Sequence, residues 1–246
     1  MLRSFLPSAV ALTFLAVRTG CWQSKYVYYE EIIAKEPTAW NHSDARTVIL
    51  ANMEMNRSVD DAPFRIIATR FNPSVLAAVS RLQQEKEDWS RREMFENLDQ
   101  DARRYTGLTV DPHTGEFVDA FGKSYFSERQ LDSLAFLIGV YDLNTGGGVS
   151  QPFLEHALFD LKNYVFNHPD VETFIDRIVL ENEQGQWLKP NWLAGMANGE
   201  LVEGKNLLVM FQLKQDGGRF LANSSTMTIV VRGFSRDIRL PFLIRR

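Results

Sequence analysis

Between Phe174 and Ile244 the chain alternates apolar and polar side chains in four separate runs. Phe174, Asp176, Ile178 and Leu180 interleave with Ile175, Arg177 and Val179, and Leu207, Val209, Phe211 and Leu213 with Leu208, Met210 and Gln212. Met227, Ile229 and Val231 interleave with Thr226, Thr228 and Val230, and Ile238, Leu240, Phe242 and Ile244 follow. A period of two sends successive side chains to opposite faces of an extended strand, which a helix does not do. Turn residues divide the runs at Glu183-Gln184-Gly185, Asn198-Gly199 and Asp216-Gly217-Gly218. Short strands with one apolar face, spaced this way, pair antiparallel and bury that face against a second layer. The expected fold is mainly β: an antiparallel β-sandwich of Ig-like type, with a helical insertion between the early and the C-terminal strands.

The rest of the chain fits around that framework. Arg46 to Met55 reads as a strand, with Ile49, Ala51, Met53 and Met55 on one side and Val48, Leu50, Asn52 and Glu54 on the other. Phe64 to Phe71 reads as a second strand, and Asn72-Pro73-Ser74 as a helix start, with proline pre-set for the first turn. Val75, Val79, Leu82, Trp89, Phe95 and Leu98 form a helical stripe over 74–104, weakest in the polar run 83–88, with a break placed at Asn97–Gln100. Glu87 with Arg91, Asp88 with Arg92 and Asp99 with Arg103 have the spacing of helical ion pairs. A tight hairpin is expected over Gly107–Phe121, a strand over Leu134–Tyr141, and a helix over 152–165 stopped by Asn167-His168-Pro169. The expected domain is residues 46–246, with the helical insertion at about 73–168.

Charge and residue usage exclude several function classes. Basic residues number 27 and acidic residues 31, a net charge of -4, so a basic surface for nucleic acid is not expected. The 17 Phe, 7 Tyr and 5 Trp are enough aromatic surface for an ordered core. A lone cysteine, Cys21, rules out a disulfide scaffold. His42, His113, His156 and His168 form neither an HExxH motif nor a Cys/His cluster, so no metal and no cofactor are expected. Gly146-Gly147-Gly148 lacks the spacing and the lysine of a phosphate loop, and no Gly-x-Ser-x-Gly elbow is present. His156 and Asp160, and the acids Asp60, Asp61, Asp99, Asp101, Asp111, Glu116 and Asp119, read as solvated helix and turn residues. Trp187, Trp192, Phe220 and Phe234 sit in or beside the C-terminal turns. They are expected either to form a platform for a glycan or protein partner, or to plug the ends of the sandwich.

The N-terminus carries an address. Residues 1–21 read MLRSFLPSAVALTFLAVRTGC: a basic Arg3, an apolar stretch from Phe5 to Val17, and small residues before the cysteine. That stretch is shorter than the roughly 20 residues a membrane-spanning helix needs, and it has the layout of a secretory signal peptide over 1–20. Gly20-Cys21 resembles the end of the bacterial lipobox, with Arg18 standing where that motif usually has leucine. The resemblance implies that the Cys21 thiolate accepts a diacylglyceryl group and becomes the mature N-terminus. Trp22, where inner-membrane lipoproteins often carry aspartate, implies sorting to the outer membrane or the periplasmic side of the envelope. Secretion without lipid and retention of 1–20 as a core helix stay open beside it. Residues 21–45 are expected to be a lipid-anchored tether or edge segment.

The function expected from these residues is that of an exported, lipid-anchored envelope protein, a non-catalytic structural or adaptor subunit of a membrane-associated assembly. Its partners would be proteins of that assembly and, through the anchor, the membrane. The alternative is a cell-envelope carbohydrate-binding module or glycan-active enzyme.

Overall fold

A computed structural model describes residues 28–56, 64–142, 177–194, 206–232 and 236–244. At its centre lies β5 (Ser133–Asp142), whose sequence SLAFLIGVYD is almost continuously apolar. That composition suits a strand covered on both faces. Leu134, Phe136 and Ile138 are fully buried on one side of it, and Ala135 and Leu137 on the other. β2 (Phe64–Phe71) and β9 (Asn206–Gln212) flank it, with β1 (Met53–Asn56) beyond β2 and β8 (Trp192–Ala194) beyond β9. Every neighbour in this five-stranded sheet is antiparallel.

Helices cover one face. A helical segment at 28–33, α1 (His42–Ala51), α2 (Pro73–Glu87) and α3 (Arg91–Thr106) bury Ile32, Trp40, Val48, Val75, Phe95 and Leu98 against Phe71, Leu137 and Leu208 of the sheet. The other face meets a second antiparallel sheet, of order β13-β12-β6-β7. Its strands are β6 (Ile178–Asn182), β7 (Trp187–Leu188), β12 (Thr226–Val231) and β13 (Ile238–Leu243). Leu180, Ile229, Leu240 and Phe242 of this sheet share one buried cluster with Ile66, Phe136 and Phe211 of the first. Phe136 packs edge-on to Phe211 with ring centroids 6.0 Å apart, and lies 5.3 Å from Phe242. Each such side chain contributes about 1.5–3 kcal/mol on leaving water, so the two faces of the first sheet dominate stability. Two small hairpins complete the described residues: β3 (Thr109–Val110) with β4 (Phe117–Val118), and β10 (Lys214–Gln215) with β11 (Gly218–Arg219).

The mainly antiparallel β character and the helices between β2 and β5 agree with the sequence. Asn72 caps α2 as expected, its side chain accepting the Val75 N–H at 3.0 Å with proline at the first turn. Three expectations are corrected.

First, Arg46–Met55 is not one strand. Residues through Ala51 are helical, and only Met53–Asn56 are extended. Asn41 and Asp44 form a reciprocal capping box that starts the helix, with the Asp44 N–H donating to Asn41 Oδ1 at 2.9 Å and the Asn41 N–H to Asp44 Oδ2 at 3.2 Å. Ala45, Val48 and Ile49 then fall on one helical face in the core, whereas a strand would have set Val48 and Ile49 on opposite sides.

Second, the break in the long helical stretch lies at residues 88–90, not at Asn97–Gln100, which is mid-α3. Asp88 turns left-handed at φ 52°, and Ser90 and Glu93 build a new capping box. Glu87–Arg91 and Asp88–Arg92 therefore straddle two helices. Arg91 instead meets Glu36 at 2.6 Å and Arg92 meets Glu96 at 2.7 Å, while Asp99–Arg103 forms as expected at 2.7 Å.

Third, the folded unit starts before residue 46. Tyr29, Ile32 and Trp40 are core residues, and the Trp40 indole N–H donates to the Ile32 carbonyl at 2.8 Å. The expected helix at 152–165, Gly146–Gly148, Asn198-Gly199 and Asp60-Asp61 lie outside the described residues.

Candidate functional site

Two arrangements of polar side chains stand out, one sealed and one open. The sealed one begins with β2, where Ile66, Ala68 and Arg70 share a face. Ile66 and Ala68 enter the cluster between the sheets, so Arg70 enters that layer too. Its guanidinium lies 5.6 Å from the centroid of the Phe242 ring. Nη1 meets Glu128 Oε1 at 3.1 Å and donates to the Leu243 carbonyl at 2.6 Å, and Nη2 donates to Asn52 Oδ1 at 2.8 Å. Asn72 Nδ2 donates to Asn52 Oδ1 at 2.9 Å and to Glu128 Oε1 at 3.2 Å, so the residue that caps α2 also joins this network. Glu128 is held there by a short 3₁₀ turn, Glu128–Gln130, capped by Ser127. One ion pair thus ties the first sheet, the end of β13, the loop after α1 and the start of α2.

The Arg70 and Glu128 side chains are 6% and 0% exposed, so no substrate reaches them. A buried pair of this kind contributes little over an apolar replacement but fixes one geometry, and it is expensive to break from one side. The Tyr125 hydroxyl lies nearby, buried and without a hydrogen-bond partner among the described residues. Burial pushes its pKa well up, Glu128 adds to the rise and Arg70 opposes it. On β1, burial likewise raises the Glu54 carboxyl, with Arg70 pulling the other way.

The open arrangement is a groove of about 730 Å³ between α3 and the β3–β4 hairpin. The hairpin sits close because Gly115, at φ +73°, leaves no side chain where the Phe95 ring lies: a Cβ there would meet Phe95 Cε1 at 2.9 Å. Asp99 fastens the other end, accepting the Val110 N–H at 2.8 Å and the Arg103 Nε–H at 2.7 Å. The turn is set by Asp111, whose carboxylate accepts the His113 N–H at 2.7 Å and the Thr114 N–H at 3.2 Å; these bonds hold its pKa below the usual range. Phe95, Val110 and Pro112 give the groove apolar lining, and Arg91, Arg92, Glu96 and Arg103 give it a mixed-charge rim in which basic side chains outnumber acidic ones. Arg91 also stacks over Phe95, 5.3 Å from its centroid. Each groove carboxylate is committed to a guanidinium or a backbone N–H.

Of the four aromatics singled out in the sequence, the three among the described residues do not gather in one platform. Trp187 is 55% exposed on the outer face of the second sheet, with Arg232 5.9 Å from its ring. Trp192 packs on the opposite side of the molecule's layers, against the helical cluster, with Arg104 5.7 Å from its ring. Phe220 packs against the cluster between the sheets. Phe234 and Cys21 lie outside the described residues, as do His156 and His168. His42 is on α1 with Nδ1 3.3 Å from Glu85 Oε2, and His113 lines the groove. Among the described residues, no three His, Cys, Asp or Glu side chains gather as a metal site would require.

The Arg70–Glu128 network was missed in the sequence. Its signal was parity: Arg70 stands two residues beyond Ala68 on a face otherwise apolar. Glu128 gave no such sign, because its burial depends on a turn whose position only the fold supplies. Comparison with protein-family models, with curated proteins and with solved structures finds no match to this chain.

Proposed function

We propose that this chain is an exported, lipid-anchored envelope protein with an Ig-like β-sandwich core, acting as a non-catalytic adaptor that docks a partner protein along α3. The observation that carries the adaptor reading is the groove beside α3. It has an apolar lining and a charged rim, and its carboxylates are neutralised within the groove. The leader ending in Gly20-Cys21 supports the anchored address. No helix among the described residues is long and apolar enough to cross a membrane. The anchor in this reading is the lipid on Cys21. Among the described residues, the glycan-platform alternative is supported by the exposed Trp187.

The test is co-purification of the full, C-terminally tagged chain from membranes in mild detergent. A stoichiometric partner is expected, reduced about tenfold or more by Arg92→Glu with Arg103→Glu, both rim residues whose loss leaves the core intact. Recovery of the protein alone, or turnover of a substrate at an enzyme-like rate, would overturn the adaptor reading. Mass spectrometry of the mature chain tests the anchor: a retained Met1 removes it.

A further inference from the structure

The loop over 119–126, which leads from β4 to the 3₁₀ turn at Glu128, exposes two phenylalanines. Phe121 is 88% and Phe126 67% exposed. The backbone beneath them is nonetheless well ordered by hydrogen bonds. Asp119 Oδ1 accepts the N–H groups of Phe121 and Lys123, both at 2.9 Å, and the Asp119 N–H donates to the Lys123 carbonyl at 2.8 Å. The Gly122 N–H donates to the Asp119 carbonyl at 2.9 Å, the Tyr125 N–H to the Phe117 carbonyl at 2.8 Å, and the Phe126 N–H to Gln130 Oε1 at 2.7 Å. Gly122 forms the tip at φ +74°, with open space where a side chain would point.

We propose that this loop is a membrane-contact element that seats Phe121 and Phe126 in the interface of an anionic lipid surface. Two features favour lipid over protein. Two phenyl rings offer roughly 300–500 Å², below the about 800 Å² that each partner buries in a standard protein–protein contact, whereas lipid needs no complementary surface. The charge is complementary as well. Lys123, exposed, stands between the two phenylalanines in the chain, and Arg129 follows them in the 3₁₀ turn with its Nε donating to the Ser224 carbonyl at 2.9 Å, while the loop's own acid, Asp119, has its carboxylate turned onto the loop backbone. Cations beside interfacial aromatics suit anionic headgroups, even on a chain of net charge -4.

The loop and the α3 groove lie at opposite ends of the β3–β4 hairpin, so contact at one leaves the other free. The inference goes beyond the anchored-adaptor reading and does not need Cys21.

The experiment uses the full chain carrying Cys21→Ser and Ala120→Cys, labelled at residue 120 with an environment-sensitive fluorophore. The label reports the loop whatever the N-terminal residues do. Vesicles of phosphatidylcholine with phosphatidylglycerol are expected to shift the emission to the blue, and phosphatidylcholine alone to do so much less. High salt weakens the response, and Phe121→Ser with Phe126→Ser lowers the apparent affinity at least about tenfold. No shift on anionic vesicles, or a shift that survives loss of both phenylalanines, overturns the proposal. A shift produced by envelope protein extract but not by vesicles also overturns it, and assigns the tip to a protein partner. Failure here leaves the co-purification result standing, because that assay reads the groove.

Discussion

Removing the Glu128 side chain should be among the most damaging single changes in the described fold. Glu128→Ala leaves the Arg70 guanidinium in the layer between the sheets with only the Leu243 carbonyl and Asn52 Oδ1 to receive its protons. It also takes from Asn72 one of its two acceptors. An uncompensated buried charge of this kind costs about 3–5 kcal/mol. In a domain of this size each kcal/mol moves the melting temperature by about 2–4 °C, so a drop of about 6–20 °C is expected. Glu128→Gln keeps the shape and one acceptor oxygen and should cost less. The double variant Arg70→Met, Glu128→Leu removes both charges from a buried layer and should be more stable than Glu128→Ala alone. As a control, Glu96→Ala breaks the exposed pair with Arg92 and should cost under about 0.5 kcal/mol. Urea unfolding followed by tryptophan fluorescence measures all four. A cost below about 1 kcal/mol for Glu128→Ala, or a double variant no more stable than Glu128→Ala, would refute this account of the pair.

Two further outcomes follow from single positions. Tyr125 has its folded pKa raised by burial, so its neutral form is favoured in the fold: this stabilisation is whole below about pH 10 and is lost as pH rises from there toward the folded value. Melting curves of Tyr125→Phe should therefore fall less steeply above pH 10 than those of the parent. At neutral pH the variant should be no less stable, because the lost hydroxyl had no partner; a lower neutral-pH melting temperature would contradict this. Gly115→Ala should destabilise by more than Gly185→Ala. Both glycines sit at φ +73°, which costs an alanine about 1–2 kcal/mol, but only at Gly115 does the new carbon strike a ring, that of Phe95. Equal losses in urea would show that the hairpin does not rest on α3 as described.

The strands of the second half were readable because an antiparallel strand with one wet face writes its geometry directly into the sequence. Thr226, Thr228 and the run from Ile238 to Leu243 alternate for that reason. The same rule misled at Arg46–Met55. Ile49, Ala51 and Met53 alternate there by coincidence, while Ala45, Val48 and Ile49 satisfy helical spacing equally well. The choice was made by Asn41 and Asp44, upstream of the apolar pattern. The helix break was displaced because the deciding signals were local: a left-handed Asp88 and the Ser90–Glu93 box. A stripe of apolar residues cannot register either. Which layer each aromatic joins was not legible at all, since Trp187 and Trp192 differ only in which sheet their short strands enter. The groove was half legible. Its hairpin and its Asp99–Arg103 pair were foreseen, but their approach depends on Gly115 meeting Phe95 across tertiary space.

β5 has a consequence for how the chain is made. It pairs with residues 64–71 on one side and 206–212 on the other, both far along the chain, so neither pairing forms as a local hairpin. As the polypeptide emerges, β2 is already present to receive it, but the strand that covers its second edge is synthesised much later. During that interval one of the most apolar stretches of the protein offers an open row of backbone donors and acceptors to any passing chain. The burden on chaperones during biosynthesis therefore falls on the period between completion of residue 142 and arrival of residue 212.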